Sequence, residues 1–191
     1  MPRPRKKAGS TAGEGCPFVR AGGLAIIAAA VMDPSQWIAA FRITHEHARR
    51  GTLPEGEQRK YLVMRDELAR SLMSSQGLTA PAGVSPRRAF KIAHVFPIEL
   101  AGLYRSTTRE ISCSSFTTIV AATLKQGERI SFSLNLSRAG DALTGFAIVK
   151  VAMRQTINSV RLTCDFDGLG EERLARLELA LFDAALSRFG G

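Results

Sequence analysis

The chain has 191 residues, of which 45% are hydrophobic and 23% charged, and its 26 basic and 17 acidic residues give a net charge of +9. This composition is ordinary for a soluble globular protein, and the length allows one core with a helical addition but would crowd two full domains. The basic residues are spread along the sequence, whereas a dedicated nucleic-acid binder concentrates them in one patch. We therefore predict a protein that does not bind nucleic acid.

The first 32 residues precede the predicted fold. They contain a basic start and an apolar run over residues 22–32, which is shorter than the roughly 20 residues that a membrane span takes. Met32 stands directly before Asp33 and Pro34, which form a strong helix start. We interpret residues 1–32 as a disordered segment or N-terminal extension, with residues 1–31 upstream of Met32 as the true initiator, and predict no membrane span.

Two helices are predicted over residues 33–78. Asp33 caps the first helix, which ends at Gly51, and Thr52 caps the second, which ends at Gly77. The short connection predicts that they pack as an antiparallel hairpin. One face of the second helix carries four residues at helical spacing, Tyr61, Arg65, Leu68 and Leu72.

The pattern changes after residue 78. Residues 79–86 are rich in Pro, Gly and Ser and are predicted to be a linker. Short segments rich in Val, Ile, Phe and Thr then predict strands over 90–100, 111–121, 129–136, 143–154 and 160–166, followed by a helix over 171–189. The predicted fold class is α+β. It consists of a small antiparallel barrel of five or six strands over residues 87–191, with a C-terminal helix and the N-terminal helical hairpin.

Two short segments hold most of the functional information, RRAFK at residues 87–91 and EISCSS at residues 110–115. Together with the barrel layout, they resemble the two signature motifs of PilZ domains, R-x-x-x-R and [D/N]-x-S-x-x-G. The resemblance implies a receptor of cyclic di-GMP. The motif arginines bind its phosphates and stack on its guanines, while the second motif binds the base and phosphate side. Guanidinium groups suit both contacts, because they pair with phosphate oxygens and stack on flat rings.

The resemblance is complete at some positions only. Arg87 matches the first arginine and Ser112 matches the serine. Lys91 takes the place of the second arginine, which keeps the charge but loses the bidentate geometry. Glu110 replaces the Asp or Asn on a longer stem. Ser115 replaces the glycine, which strains the backbone if that position needs a positive φ and otherwise crowds the ligand.

Two functions follow from this partial match. The candidate ligand-binding residues are Arg87, Arg88, Lys91, Glu110, Ser112 and Ser115. If they bind cyclic di-GMP, the protein is a second-messenger receptor. If the altered motifs have weakened or abolished binding, it is an adaptor whose amphipathic helices bind a partner protein or a second copy. The substitutions favour the adaptor. An arginine at a linker end carries little stability, so Arg87→Ala is expected to leave folding unchanged.

Other chemistry is not supported by the sequence. His45 and His47 lie about 200° apart on a helix and cannot bind one metal ion together, so we predict two solvent-facing histidines. The cysteines, Cys16, Cys113 and Cys164, have no C-x-x-C spacing, which indicates neither a zinc site nor a disulfide framework and suits a reducing cytoplasm. No nucleophile motif or phosphate-binding glycine loop is present. We predict a cytoplasmic protein that is not an enzyme and has no cofactor or metal.

Overall fold

The computed structural model describes residues 33–136 and 142–189. This part of the chain contains four α-helices, α1 (Pro34–Arg49), α2 (Glu55–Ser75), α3 (Pro86–Ala89) and α4 (Glu171–Leu186), and a short 3-10 helix over Ser187–Phe189. None of these helices is long and apolar enough to cross a membrane.

Seven strands form one antiparallel sheet. They are β1 (Lys91–Ile92), β2 (Pro97–Leu100), β3 (Tyr104–Ser112), β4 (Ser115–Val120), β5 (Arg129–Asn135), β6 (Ala142–Thr156) and β7 (Ser159–Asp167). Pairing runs from β3 through β2, β5, β6, β7 and β4 back to β3, so six strands close a barrel, and β1 adds to β3. The predicted barrel with a C-terminal helix and a helical hairpin is confirmed.

Alternation along β5 shows how the sequence builds the barrel. Ile130, Phe132 and Leu134 are buried, whereas the intervening Ser131 is exposed. This period of two places one face of a strand inside the barrel. The Phe132 ring lies 5.1 Å from the Phe166 ring and 6.0 Å from the Phe116 ring, so aromatic side chains from three strands fill the interior.

A second cluster of rings lies around α4. Phe182 is fully buried, and its ring centroid lies 4.8 Å from that of Phe90 and 6.0 Å from that of Phe41. His45 also faces Phe182, at 6.3 Å. One side chain of α4 therefore joins the second half of α1 to the residue that precedes β1.

Two predicted strands are wrong in their extent. The segment 90–100 is two strands, because the Thr108 side chain accepts a hydrogen bond from the Phe96 N–H and donates one to the His94 carbonyl, where ladder bonds would otherwise form. The segment 111–121 is divided by a turn at Ser112–Ser115, and β3 begins earlier, at Tyr104.

The chain divides into two compact units, Met1–Ala40 and Phe41–Gly191. The described part of the first unit is residues 33–40, which begin α1. The predicted division into a hairpin over 33–78, a linker over 79–86 and a barrel over 87–191 stays a prediction. The interpretation of residues 1–32 falls outside the described residues.

Candidate functional site

Arg87, the first arginine of the predicted motif, lies on α3 and faces α2. Its Nη1 atom is 2.9 Å from Oδ2 of Asp66, and its backbone N–H donates to Oδ1 of the same carboxylate at 3.2 Å. Both side chains are largely buried, with exposed fractions of 22% and 19%. Arg87 is therefore an anchored residue, and its buried ion pair argues against the expectation that Arg87→Ala leaves folding unchanged.

Glu178 on α4 is the centre of a group of charges. Its carboxylate approaches three arginines, with Arg65 Nη2 at 2.6 Å and Arg87 Nε at 3.2 Å from Oε1, and Arg88 Nε at 3.7 Å from Oε2. Glu178 is only 3% exposed. We call Glu178 with Arg65, Arg87 and Arg88 the Glu178 cluster. It joins α2, α3 and α4 through one carboxylate.

Arg88 lies at the exposed side of the cluster. Its guanidinium donates two hydrogen bonds to Glu171, at 2.6 Å and 3.3 Å. The hydrogen bond from Arg88 lowers the pKa of the Glu171 carboxyl. The Glu171 side chain is 78% exposed, so this pair contributes little to stability. With Asp66 and Glu171, the three arginines face three carboxylates, and the charges balance.

Burial sets the electrostatics of the cluster. Desolvation raises the pKa of the Glu178 carboxyl, and the charge of Arg65 opposes it most strongly. The Arg65 guanidinium also lies over the rings of Tyr61 and Phe182, at 5.2 Å and 4.9 Å from their centroids. Burial raises the pKa of the Tyr61 hydroxyl to about 12, so this neighbour stays neutral at ordinary pH.

The second motif forms a tight turn between β3 and β4. The buried Ser112 hydroxyl accepts hydrogen bonds from the backbone N–H groups of Ser114 and Ser115, at 3.2 Å and 3.0 Å. Among the described non-glycine residues, only Ala101 has a positive φ, so Ser115 is not strained by the loss of a glycine. The motif serine therefore stabilises the turn through these two hydrogen bonds.

The structure brings the two motifs side by side. Lys91 on β1 pairs in register with Ser112 on β3, and the Cys113 Sγ atom lies 4.0 Å from the Arg87 carbonyl oxygen. Glu110 forms no ion pair with Arg87 or Arg88. Its carboxylate instead pairs with Arg161 on β7, at 4.0 Å. The predicted site residues are thus close in the fold, but Arg87 and Arg88 are bound to carboxylates of the protein.

Sequence reasoning missed two charged residues of this site, one on α2 and one on α4. Arg65 was recognised only as part of the stripe on α2, and Glu178 was not singled out. Both had a signal, because each is a charged residue inside an apolar stripe. Arg65 lies between Tyr61 and Leu68, and Glu178 lies four residues from Phe182. A charge on the buried face of a helix needs a partner, so two such residues indicate an internal ion pair.

The prediction of two solvent-facing histidines is wrong for His45 and confirmed for His47. His45 is 2% exposed, and its ring nitrogens lie 2.6 Å from the Tyr61 hydroxyl and 3.0 Å from Asp183 Oδ1. His45 can lie on the buried face of α1 because both of its ring nitrogens have polar partners there. Within residues 33–136 and 142–189, no group of three potential ligands is placed to hold a metal ion.

No family model and no curated protein matches the chain. Among solved structures, it is similar to the inhibitor of motility MotI/DgrA of Bacillus subtilis, with 13% identity and a TM-score of 0.45 over 51% of this chain and 49% of that one. It is also similar to YcgR of Escherichia coli in complex with c-di-GMP, with 16% identity and a TM-score of 0.46 over 53% and 46%. The chain thus spans about half the length of these two proteins.

A third similar structure is a tetrameric PilZ-domain protein of Xanthomonas campestris, self-assembled through a helical bundle. It shares 16% identity, with a TM-score of 0.41 over 84% of this chain and 83% of that one. In this chain the short strand β1 precedes the closed barrel and the helix α4 follows it.

Proposed function

We propose that this protein is a cytoplasmic, non-enzymatic PilZ-like regulator in cyclic di-GMP signalling, which acts through protein contacts and binds the nucleotide weakly or not at all. The observation that carries the proposal is the pairing of Arg87. This arginine matches the phosphate-binding position of the motif, yet it contacts the carboxylates of Asp66 and Glu178 at 2.9 Å and 3.2 Å.

The energies support weakened binding. A phosphate that binds Arg87 must first displace the carboxylates of Asp66 and Glu178 from its guanidinium. A hydrogen bond to a charged group contributes about 1.5–3 kcal/mol. Each 1.4 kcal/mol is tenfold in affinity, so breaking one such contact lowers affinity by roughly 10- to 100-fold. Lys91, in the place of the second arginine, offers a point charge without the bidentate fork.

One observation favours the alternative, a true receptor that uses Arg87, Lys91, Glu110 and Ser112. Lys91 pairs in register with Ser112, as two residues that bind one ligand should. The neighbouring Arg88 is bound to the exposed Glu171, a contact that a phosphate can replace at small cost. A receptor of this kind would use Arg88 in place of the arginine that Lys91 replaces.

Calorimetric titration of cyclic di-GMP into the full chain tests the proposal, with GMP as the control ligand. We expect no saturable heat at micromolar ligand. Saturable micromolar binding that is lost in Arg87→Ala or Arg88→Ala would establish the receptor instead. Arg105→Ala is the matched control variant, because the Arg105 side chain is 88% exposed and pairs only with Glu99 among the described residues.

A further inference from the structure

The far half of β6 extends past its neighbouring strand β5. β5 pairs with β6 up to Ile148, and among the described residues only β7 pairs with β6 beyond that point. On the other side, β4 pairs with β7 as far as Val160. Residues 150–160 therefore form the end of the β6–β7 hairpin, in which β4 covers the β7 side and the β6 edge has no partner strand among the described residues. We call this segment the ribbon. Unpaired backbone N–H and C=O groups along such an edge can accept another strand.

The ribbon exposes apolar side chains along this edge. Val151 is 46% exposed, Met153 56% and Ile157, at the turn, 83%. No proline interrupts the β6 part, although proline commonly blocks edges in soluble proteins. Irregular pairing occurs at Val149/Val151 and at Arg154/Thr156, which leaves residues 151–154 as a regular stretch between the two.

All charged residues of the ribbon are positive. Residues 150–160 include Lys150 and Arg154 and no acidic residue, and the next residue, Arg161, is also basic. Lys150 and Arg161 form ion pairs with Asp165 and Glu110, at 3.6 Å and 4.0 Å. The Arg154 side chain donates to the Ile157 carbonyl and forms no ion pair with any described residue. An acidic side chain on an added strand would supply this arginine with a carboxylate.

We infer that the β6 edge of the ribbon, over residues 151–156, binds an extended acidic segment of a partner protein as an added antiparallel strand. Alternating residues of that segment would be acidic, against Arg154, and apolar, against Val151 and Met153. The charges disfavour a second copy as the occupant, because its ribbon brings only neutral and positive side chains in every register. This inference rests on the proposed adaptor function and names the surface and the chemistry of its partner.

The test is amide hydrogen exchange of the full chain, with and without a synthetic peptide in which Glu and Val alternate. We expect slower exchange at residues 151–156 with this peptide and no change with a peptide of alternating Lys and Val. Arg154→Glu should lower the affinity for the Glu–Val peptide by about three- to tenfold and raise the affinity for the Lys–Val peptide. Arg105→Glu makes the same charge change at an 88% exposed site on β3 and should leave both results unaltered.

Three results would overturn the inference. The first is unchanged exchange at residues 151–156 at millimolar Glu–Val peptide. The second is protection of these amides that rises with protein concentration alone, which would assign the edge to a second copy. The third is protection by phosphatidylglycerol vesicles but not by the peptide, which would assign it to a membrane surface. Tight binding of cyclic di-GMP would contradict the proposed function but would change none of these readouts, so the two failures are distinguishable.

Discussion

Glu178→Ala is expected to lower the free energy of unfolding by about 3–5 kcal/mol, because it leaves buried arginine charge without its carboxylate. Glu178 is 3% exposed, and Arg65, at 2.6 Å, has a side chain that is only 8% exposed. Arg65 cannot reach water without leaving the rings of Tyr61 and Phe182. Urea denaturation followed by circular dichroism measures the change.

Glu172→Ala is the matched control, since it removes an exposed carboxylate from the same helix. It is expected to change stability by about 0.5 kcal/mol or less. Because Glu178→Ala can fail to fold, Glu178→Gln provides a second variant, which keeps the volume and removes the charge. Equal urea midpoints for the wild type and both Glu178 variants would show that the cluster contributes no stability.

Phe182→Ala is expected to cost about 3–5 kcal/mol, since it removes a fully buried ring and leaves a cavity. The ring packs on Phe90 and Phe41, which belong to different parts of the chain, so no single side chain can relax into the space. The loss of the ring also removes the surface on which the Arg65 guanidinium rests.

Phe189→Ala makes the same chemical change at a ring that is 49% exposed. Its expected cost is about 0.5 kcal/mol, as at other surface positions. Thermal or urea unfolding of the two variants side by side compares them directly. Similar losses in both would mean that Phe182 does not join the helices to the start of the barrel as described.

Local pattern was sufficient to predict the regular parts of the fold. β5, β6 and β7 were predicted to within two residues at each end, since their alternation and turns are local. The segment around Ala93–Phe96 was predicted as part of a strand, because the Thr108 side chain that binds its backbone is distant in sequence. The turn at Ser112–Ser115 had a local signal in its serines, whose hydroxyls compete with the strand ladder.

The candidate site was predicted in part. The motifs placed Lys91 and Ser112 in one neighbourhood, and the structure pairs them in register. The partners of Arg87 could not be derived from the motif, because Asp66 and Glu178 lie on helices far away in sequence. Sequence spacing shows which face of a helix is apolar, but only the packing of α2 against α4 determines which charges meet.

A double-mutant cycle between Arg87 and Asp66 tests most directly whether the motif arginine is committed to the protein's own carboxylates. The backbone N–H of residue 87 still reaches Asp66 in Arg87→Ala, so the cycle isolates the side-chain contact at 2.9 Å. We predict a coupling energy of about 1–3 kcal/mol from urea unfolding of Arg87→Ala, Asp66→Ala and the double variant. Additive effects, with no coupling beyond error, would show that Arg87 is free of Asp66 in solution and would contradict this account.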